Sequence, residues 1–302
     1  MKWEDFRASD NIEDRRGDED DGSSGISMPF GGGGGLGLGT IIVLGLLGYA
    51  LGIDPRLLIG GAEMIAHRTQ AQSQQVQTTP RPQTQAGAPS DQIGRFVAAV
   101  LAENEDVWSD ILPAQKGIKF VPPKLVMFDG ATQSACGTAQ SAMGPFYCPA
   151  DRKIYLDTSF FNDMKRRFGG GGDFAYAYVI AHEMGHHIEN QLGILSKVHA
   201  AQQQATSQAQ ANALSVKLEL MADCLAGVWA ANADQKWNIL EKGDVEKAVA
   251  TAQAIGDDRL QQAANRRIVP DSFTHGSASQ RTQWLKIGLE KGQINSCNTF
   301  SK

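Results

Sequence analysis

Positive charge is in short supply. Over 302 residues the chain sets 28 Lys and Arg against 33 Asp and Glu, a formal net charge of −5. With no basic face to follow a phosphate backbone, nucleic acid is not expected as a partner. Cysteine is scarce too: Cys136, Cys148, Cys224 and Cys297 are the four. None stands in a C-x-x-C pair, so zinc-finger ligand spacing is absent. An even count fits either disulfides in an oxidising compartment or four buried thiols. No internal repeat is visible.

Charge of either sign is missing from residues 22–53. Within that stretch Leu36 to Ile53 reads LGLGTIIVLGLLGYALGI. Eighteen helical residues span about 27 Å, enough for a hydrocarbon core. The acidic leader and the lack of an A-x-A site argue against a cleaved signal peptide. We therefore expect one transmembrane helix over 36–53. Before it, residues 1–21 hold nine acidic and four basic residues, and Gly and Ser follow. Residues 1–35 read as a disordered acidic and Gly-rich tail. After it, residues 54–90 are rich in Gln and Pro and read as a linker. Lys2, Arg7, Arg15 and Arg16 precede the span and Arg56 and Arg68 follow it. That bias places the N-terminus in the cytoplasm and the remainder outside.

The folded domain is expected over 91–302, as α+β, mainly α, with a small sheet. Ile93, Phe96, Val97, Val100, Leu101, Val107, Trp108, Ile111 and Leu112 recur at helical steps, giving about five turns. Lys119–Phe128 is a strand candidate interrupted by Pro122-Pro123. Residues 136–149 form a turn-rich loop, Lys153–Asp157 a strand, and Thr158 caps a short helix to Phe168. Helices follow over 174–192, 211–231, 244–266 and 278–290, with Asp173 and Asp244 as expected caps. Residues 200–213, rich in Gln and Ala, fit a helical extension or a loop over the site.

The helix at 174–192 carries Ala181-His182-Glu183-Met184-Gly185-His186-His187. Its H-E-x-x-H spacing puts His182 and His186 one turn apart on one face, where both can grip one Zn²⁺. Glu183 lies beside the metal position, placed to take a proton from water. His187 points about 100° away and reads as packing. A third protein ligand is required. Glu189 and Leu192 occupy the positions where H-E-x-x-H-x-x-G-x-x-H needs Gly and His, so that arrangement is excluded. Glu219 is the leading candidate. It shares a helix face with Asp223 among Leu218, Leu220 and Met221, and an acidic pair in apolar company calls for a compensating cation. Asp223 then suits the outer N–H of a ligating imidazole. Asp223 itself, His199 and His275 are the rival third ligands. His275 or Arg281 can supply a donor that steadies an oxyanion.

Three segments together resemble the bacterial family of neutral zinc metallopeptidases: AHEMGHHIE, SVKLELMADCLAGVW and DSFTHGSASQR. GPFYCPADRKIYLD is similar to that family's upstream block. The resemblance implies a zincin-like fold, zinc as cofactor, a membrane location and a peptide or protein substrate. Glu219 to Asp223 also resembles the E-x-x-A-D second zinc helix of membrane-linked gluzincin peptidases, which supports Glu219 as ligand. Thr274-His275-Gly276…Arg281 is similar to their late T-H-P…R segment, with Gly in place of Pro. The expected enzyme is a zinc metallopeptidase with His182, His186 and Glu219 on the metal, Glu183 as base and His275 as a catalytic donor. Lys153–Asp157 is the expected edge strand for an extended peptide. The alternative is a membrane-tethered scaffold with a structural or vestigial zinc site. From an external domain and short-loop closure, the expected disulfides are Cys136–Cys148 and Cys224–Cys297.

Overall fold

The computed structural model describes residues 1–17, 89–167 and 171–301. The expected membrane helix over 36–53 lies outside these residues, as does nearly all of the linker. Among the described residues no helix is long and apolar enough to cross a membrane. The fold is α+β and mainly helical, as expected.

A four-stranded sheet runs in the order β1 (Ile12–Asp14), β2 (Lys124–Phe128), β6 (Lys153–Asp157), β5 (Phe146–Cys148). The first three strands are parallel, and β5 is antiparallel to β6. Strand side chains alternate between faces. Leu125, Met127, Ile154 and Leu156 enter the main helical core, whereas Val126, Phe128 and Tyr155 join Ala139 on the opposite face. Ala139 comes from a hairpin, β3 (Ala131–Ser134) with β4 (Gly137–Gln140). The Cys136–Cys148 disulfide ties the turn of this hairpin to β5. The region read as a turn-rich loop thus holds two short strands, β4 and β5, whose Gly and Pro neighbours masked them.

On the helical face lie α1 (Gln92–Lys116) and α3 (Asp173–Gln191), with α2 (Ser159–Arg167) between them in the chain. Asp91 caps α1 by accepting from Gly94 N–H. Gly172, rather than Asp173, is the N-cap of α3; the Asp173 carboxylate instead accepts from Trp3 Nε1 at 3.0 Å. Asp157, rather than Thr158, meets the first amide of α2, at Ser159 N. α4 (Ile194–Gln203) leads to the long α5 (Gln208–Trp237), capped by Ser207. The helix expected over 244–266 is two, α6 (Asp244–Ala254) and α7 (Asp257–Ala263). A Cβ on Gly256 would stand 2.4 Å from Ala278 N, so the chain breaks there to let the start of α8 (Ala278–Lys291) approach. Gly243, not Asp244, is the N-cap of α6. Cys224–Cys297 joins α5 to the segment after α8 across 73 residues, a loop whose closure removes much unfolded-state freedom.

The first 17 residues overturn an expectation. They are not a disordered tail but part of the same compact unit as the metal helix. Ile12, Glu13 and Asp14 pair with Leu125, Val126 and Met127. Ile12 is buried, Trp3 packs edge-on against Phe96 and Phe6 against Trp237. Several of the segment's charges are paired. Glu13 meets Arg15, Lys124 and Lys153, Arg16 bridges Asp14 and Asp91, and Arg7 reaches Glu105 and Asp106. Residues folded into one unit stay on one side of any bilayer. The arrangement expected from the Lys/Arg count, N-terminus inside and domain outside, depends on a span that lies outside the described residues.

Candidate metal centre

α3 and α5 cross where Gly185 meets Ala222. A Cβ on Gly185 would come within 3.0 Å of the Ala222 backbone, so glycine sets the close approach. The crossing sets Glu219 of α5 against His182 and His186 of α3. One ligand atom from each lies within 4.8 Å of the others. His182 Nε2 is 3.2 Å from Glu219 Oε2, and His186 Nε2 is 3.6 Å from Glu219 Oε1. Zinc bonds of ~2.0 Å at the tetrahedral angle place ligand atoms roughly 3.3 Å apart. The donor set therefore fits zinc in kind and in spacing.

Each imidazole is held from behind. His182 Nδ1 donates to Asp223 Oδ1 at 2.9 Å, and His186 Nδ1 donates to Glu189 Oε2 at 2.9 Å. Both acids are fully buried. These bonds put the proton on Nδ1 and leave Nε2 as the metal-facing atom of both rings. Asp223 is itself fixed. Arg281 of α8 donates to it from Nε and Nη2, both at 2.9 Å, and Tyr178 donates its hydroxyl at 2.6 Å. Arg281 is buried and committed to Asp223, which removes it as an oxyanion donor and makes it a support of the ligand shell. Asp223 likewise stands behind His182 rather than in the third-ligand position.

The electrostatics follow from this closure. Burial opposes charge on His182, but Asp223 and Glu219 outweigh it and raise its pKa to about 9. His186 is raised as well, burial being outweighed by Glu189 and Glu219. Burial pushes Glu219 up, yet His186, His275 and the bond from His182 hold it well below the usual carboxylate range. Burial raises Glu183, with His182 and His186 pulling the other way. Glu183 is thus a carboxylate biased toward holding a proton, one residue from a ligand.

The other candidates are sorted by position. His199 is exposed beside Gln203, outside the cluster. His187 is buried, as expected of packing. Its Nε2 donates to the Val121 carbonyl at 2.7 Å and its Nδ1 accepts from the Tyr147 hydroxyl, tying α3 to β5. Burial depresses its pKa to about 4. His275 is half exposed and is not one of the three clustered ligands. Its Nδ1 lies 3.2 Å from Asp257 Oδ1, while Asp257 Oδ2 accepts the backbone N–H groups of Thr274, His275 and Gly276. Burial works against charge on His275, but Glu219 and Asp257 raise its pKa. Sequence reasoning missed Asp257 and Glu189. Glu189 carried a signal, its i+3 spacing from His186, but served only to exclude another ligand pattern.

Comparison with known proteins gives a family. The family model described as "Putative neutral zinc metallopeptidase" matches residues 1–300. The chain is 47% identical over 306 residues to "Uncharacterized protein YpfJ" of Escherichia coli (strain K12), covering 100% of this chain and 99% of that one. It is 41% identical over 205 residues to "Uncharacterized protein Rv2575" of Mycobacterium tuberculosis (strain H37Rv), covering 65% and 66%. No solved structure matches.

Proposed function

The chain belongs to the "Putative neutral zinc metallopeptidase" family, and from that premise we propose that it is a zinc-dependent peptidase with a zincin-like catalytic unit. The carrying observation is the convergence of two Nδ1-anchored histidines and Glu219 on one point. Structural zinc sites are closed by four protein ligands, whereas catalytic ones keep three and an open position. Three clustered donors favour the catalytic reading over the scaffold reading.

His182, His186 and Glu219 would hold the zinc. Bound there, it would supply a Lewis acid for the scissile carbonyl and lower the pKa of the attacking water. Glu183 takes the proton from that water and passes it to the leaving amine. Its raised pKa suits both tasks, since it can hold the proton between the two transfers. His275, oriented by Asp257, donates toward the oxygen that gains charge. The substrate is a peptide or protein. Lys153–Asp157 is not its edge strand, because β6 is paired on both sides. The antiparallel strand β5 ends the sheet next to α3 and is the better place for an extended chain to pair.

For location, the two disulfides favour an oxidising compartment for the folded unit, residues 1–17 included. We keep membrane attachment through Leu36–Ile53 as part of the proposal, without a span that divides residues 1–17 from the domain. The test is peptide hydrolysis by the zinc-loaded full chain. Glu183→Gln should keep zinc and lose roughly 10²–10⁴-fold in kcat. His275→Ala should keep zinc and lose rate to a smaller degree. Full turnover by Glu183→Gln would remove the proposed base.

A further inference from the structure

We infer that the surface formed by α7 and the loop after it, residues 259–270, docks on an anionic lipid bilayer. Among the described residues six large hydrophobic side chains are exposed, and three of them, Leu260 (38%), Ile268 (47%) and Val269 (43%), fall within ten residues. Arginines interleave with them. Residues 259–270 contain Arg259, Arg266 and Arg267 and no acidic residue, in a chain of net charge −5. Arg259 and Arg267 are exposed.

Two of the three neighbouring acids are engaged elsewhere. Asp257 is turned inward onto three backbone amides, and Asp258 accepts from Ala278 N. Asp271, next after Pro270, is exposed. The loop is also built rather than loose. Gln261, almost fully buried, accepts from Val269 N and donates to Ser272 Oγ, both at 2.9 Å. Asn212 of α5 donates to the Asp271 carbonyl at 2.8 Å. A fixed backbone thus holds aliphatic side chains outward, where water contact is unfavourable.

A bilayer is the partner this chemistry fits. Aliphatic side chains enter the acyl boundary while guanidinium groups meet lipid phosphates. The same sequence carries the uncharged Leu36–Ile53 stretch, long enough for a hydrocarbon core. The start of α7 also holds His275 through Asp257, so docking would set His275 beside the lipid surface. Polypeptide lying close to a membrane would then be the substrate in reach. The docking surface stands independently of the zinc chemistry.

The test uses the full chain with Ile268→Cys carrying an environment-sensitive fluorophore, bound to vesicles of phosphatidylglycerol and phosphatidylcholine with brominated acyl chains. Val121→Cys, another exposed apolar position, is the control. The label at 268 should be quenched by the brominated lipid and the label at 121 should not. Arg259→Glu with Arg267→Glu should relieve the quenching, since each arginine near an anionic surface contributes roughly a fivefold gain in partitioning. Quenching at 268 no stronger than at 121, or unchanged by the charge reversals, would overturn the inference.

Discussion

Replacing Asp223 with asparagine removes one charge and almost no volume. In the wild type that carboxylate accepts from His182 Nδ1, Arg281 Nε and Nη2, and the Tyr178 hydroxyl, in a fully buried setting. The variant leaves Arg281, 3% exposed, with its charge uncompensated. Breaking a buried pair from one side costs about 3–5 kcal/mol, a large share of the roughly 5–15 kcal/mol that hold a domain together. An independent route gives a similar size. Asp223 is the main attraction lifting His182 to about 9, against roughly 6.5 in an unfolded chain. That difference corresponds to roughly 3 kcal/mol. A raised histidine stabilises fully below the unfolded value and loses the effect as pH climbs through the folded one. Metal-free wild type should therefore lose stability between about pH 6.5 and 9, and Asp223→Asn should flatten that decline. The assay is urea denaturation of the zinc-free chain across this range, with zinc affinity measured by chelator competition. Zinc should bind roughly 10–100-fold more weakly to the variant. Adding Arg281→Met should restore part of the stability but not the affinity. A loss below about 1 kcal/mol with unchanged zinc binding would refute the reasoning.

Other outcomes follow from the same geometry. Zinc must displace protons from His182, held to about 9, and from His186, also raised. Affinity should thus climb by about one to two logarithmic units per pH unit from pH 6 to 8, and a pH-independent titration would contradict the assignment. Residues 1–17 and the domain should occupy one side of a sealed membrane. Cysteines at the exposed positions Asp5 and Glu290 should be labelled together by an impermeant reagent, and labelling of only one would break the shared fold.

The candidate cluster was legible because its signals are local. His182 and His186 are one turn apart, and Glu219 and Asp223 are one turn apart on another helix. A charged pair among leucines announces a compensating partner even when the partner is far along the chain. Arg281 was legible as a functional residue but not in its role, since only the packing of α8 on α5 shows that it serves Asp223. Asp257 gave no signal, because its partners come from backbone amides 17 to 19 residues later. The first 17 residues misled for a related reason. Their acidic composition matches a solvated tail, and a three-residue parallel strand draws its stability from a partner more than 100 residues away. The break at Gly256 was equally hidden, being imposed by the approach of Ala278.

The most direct test of the central claim is the metal content of the purified full chain beside Glu219→Ala, each measured by elemental analysis with folding verified by circular dichroism. The account predicts about one zinc per wild-type chain and little in the variant, because a three-ligand site does not survive the loss of one ligand. Equal zinc in both, or none in a folded wild type, would contradict the site built from His182, His186 and Glu219.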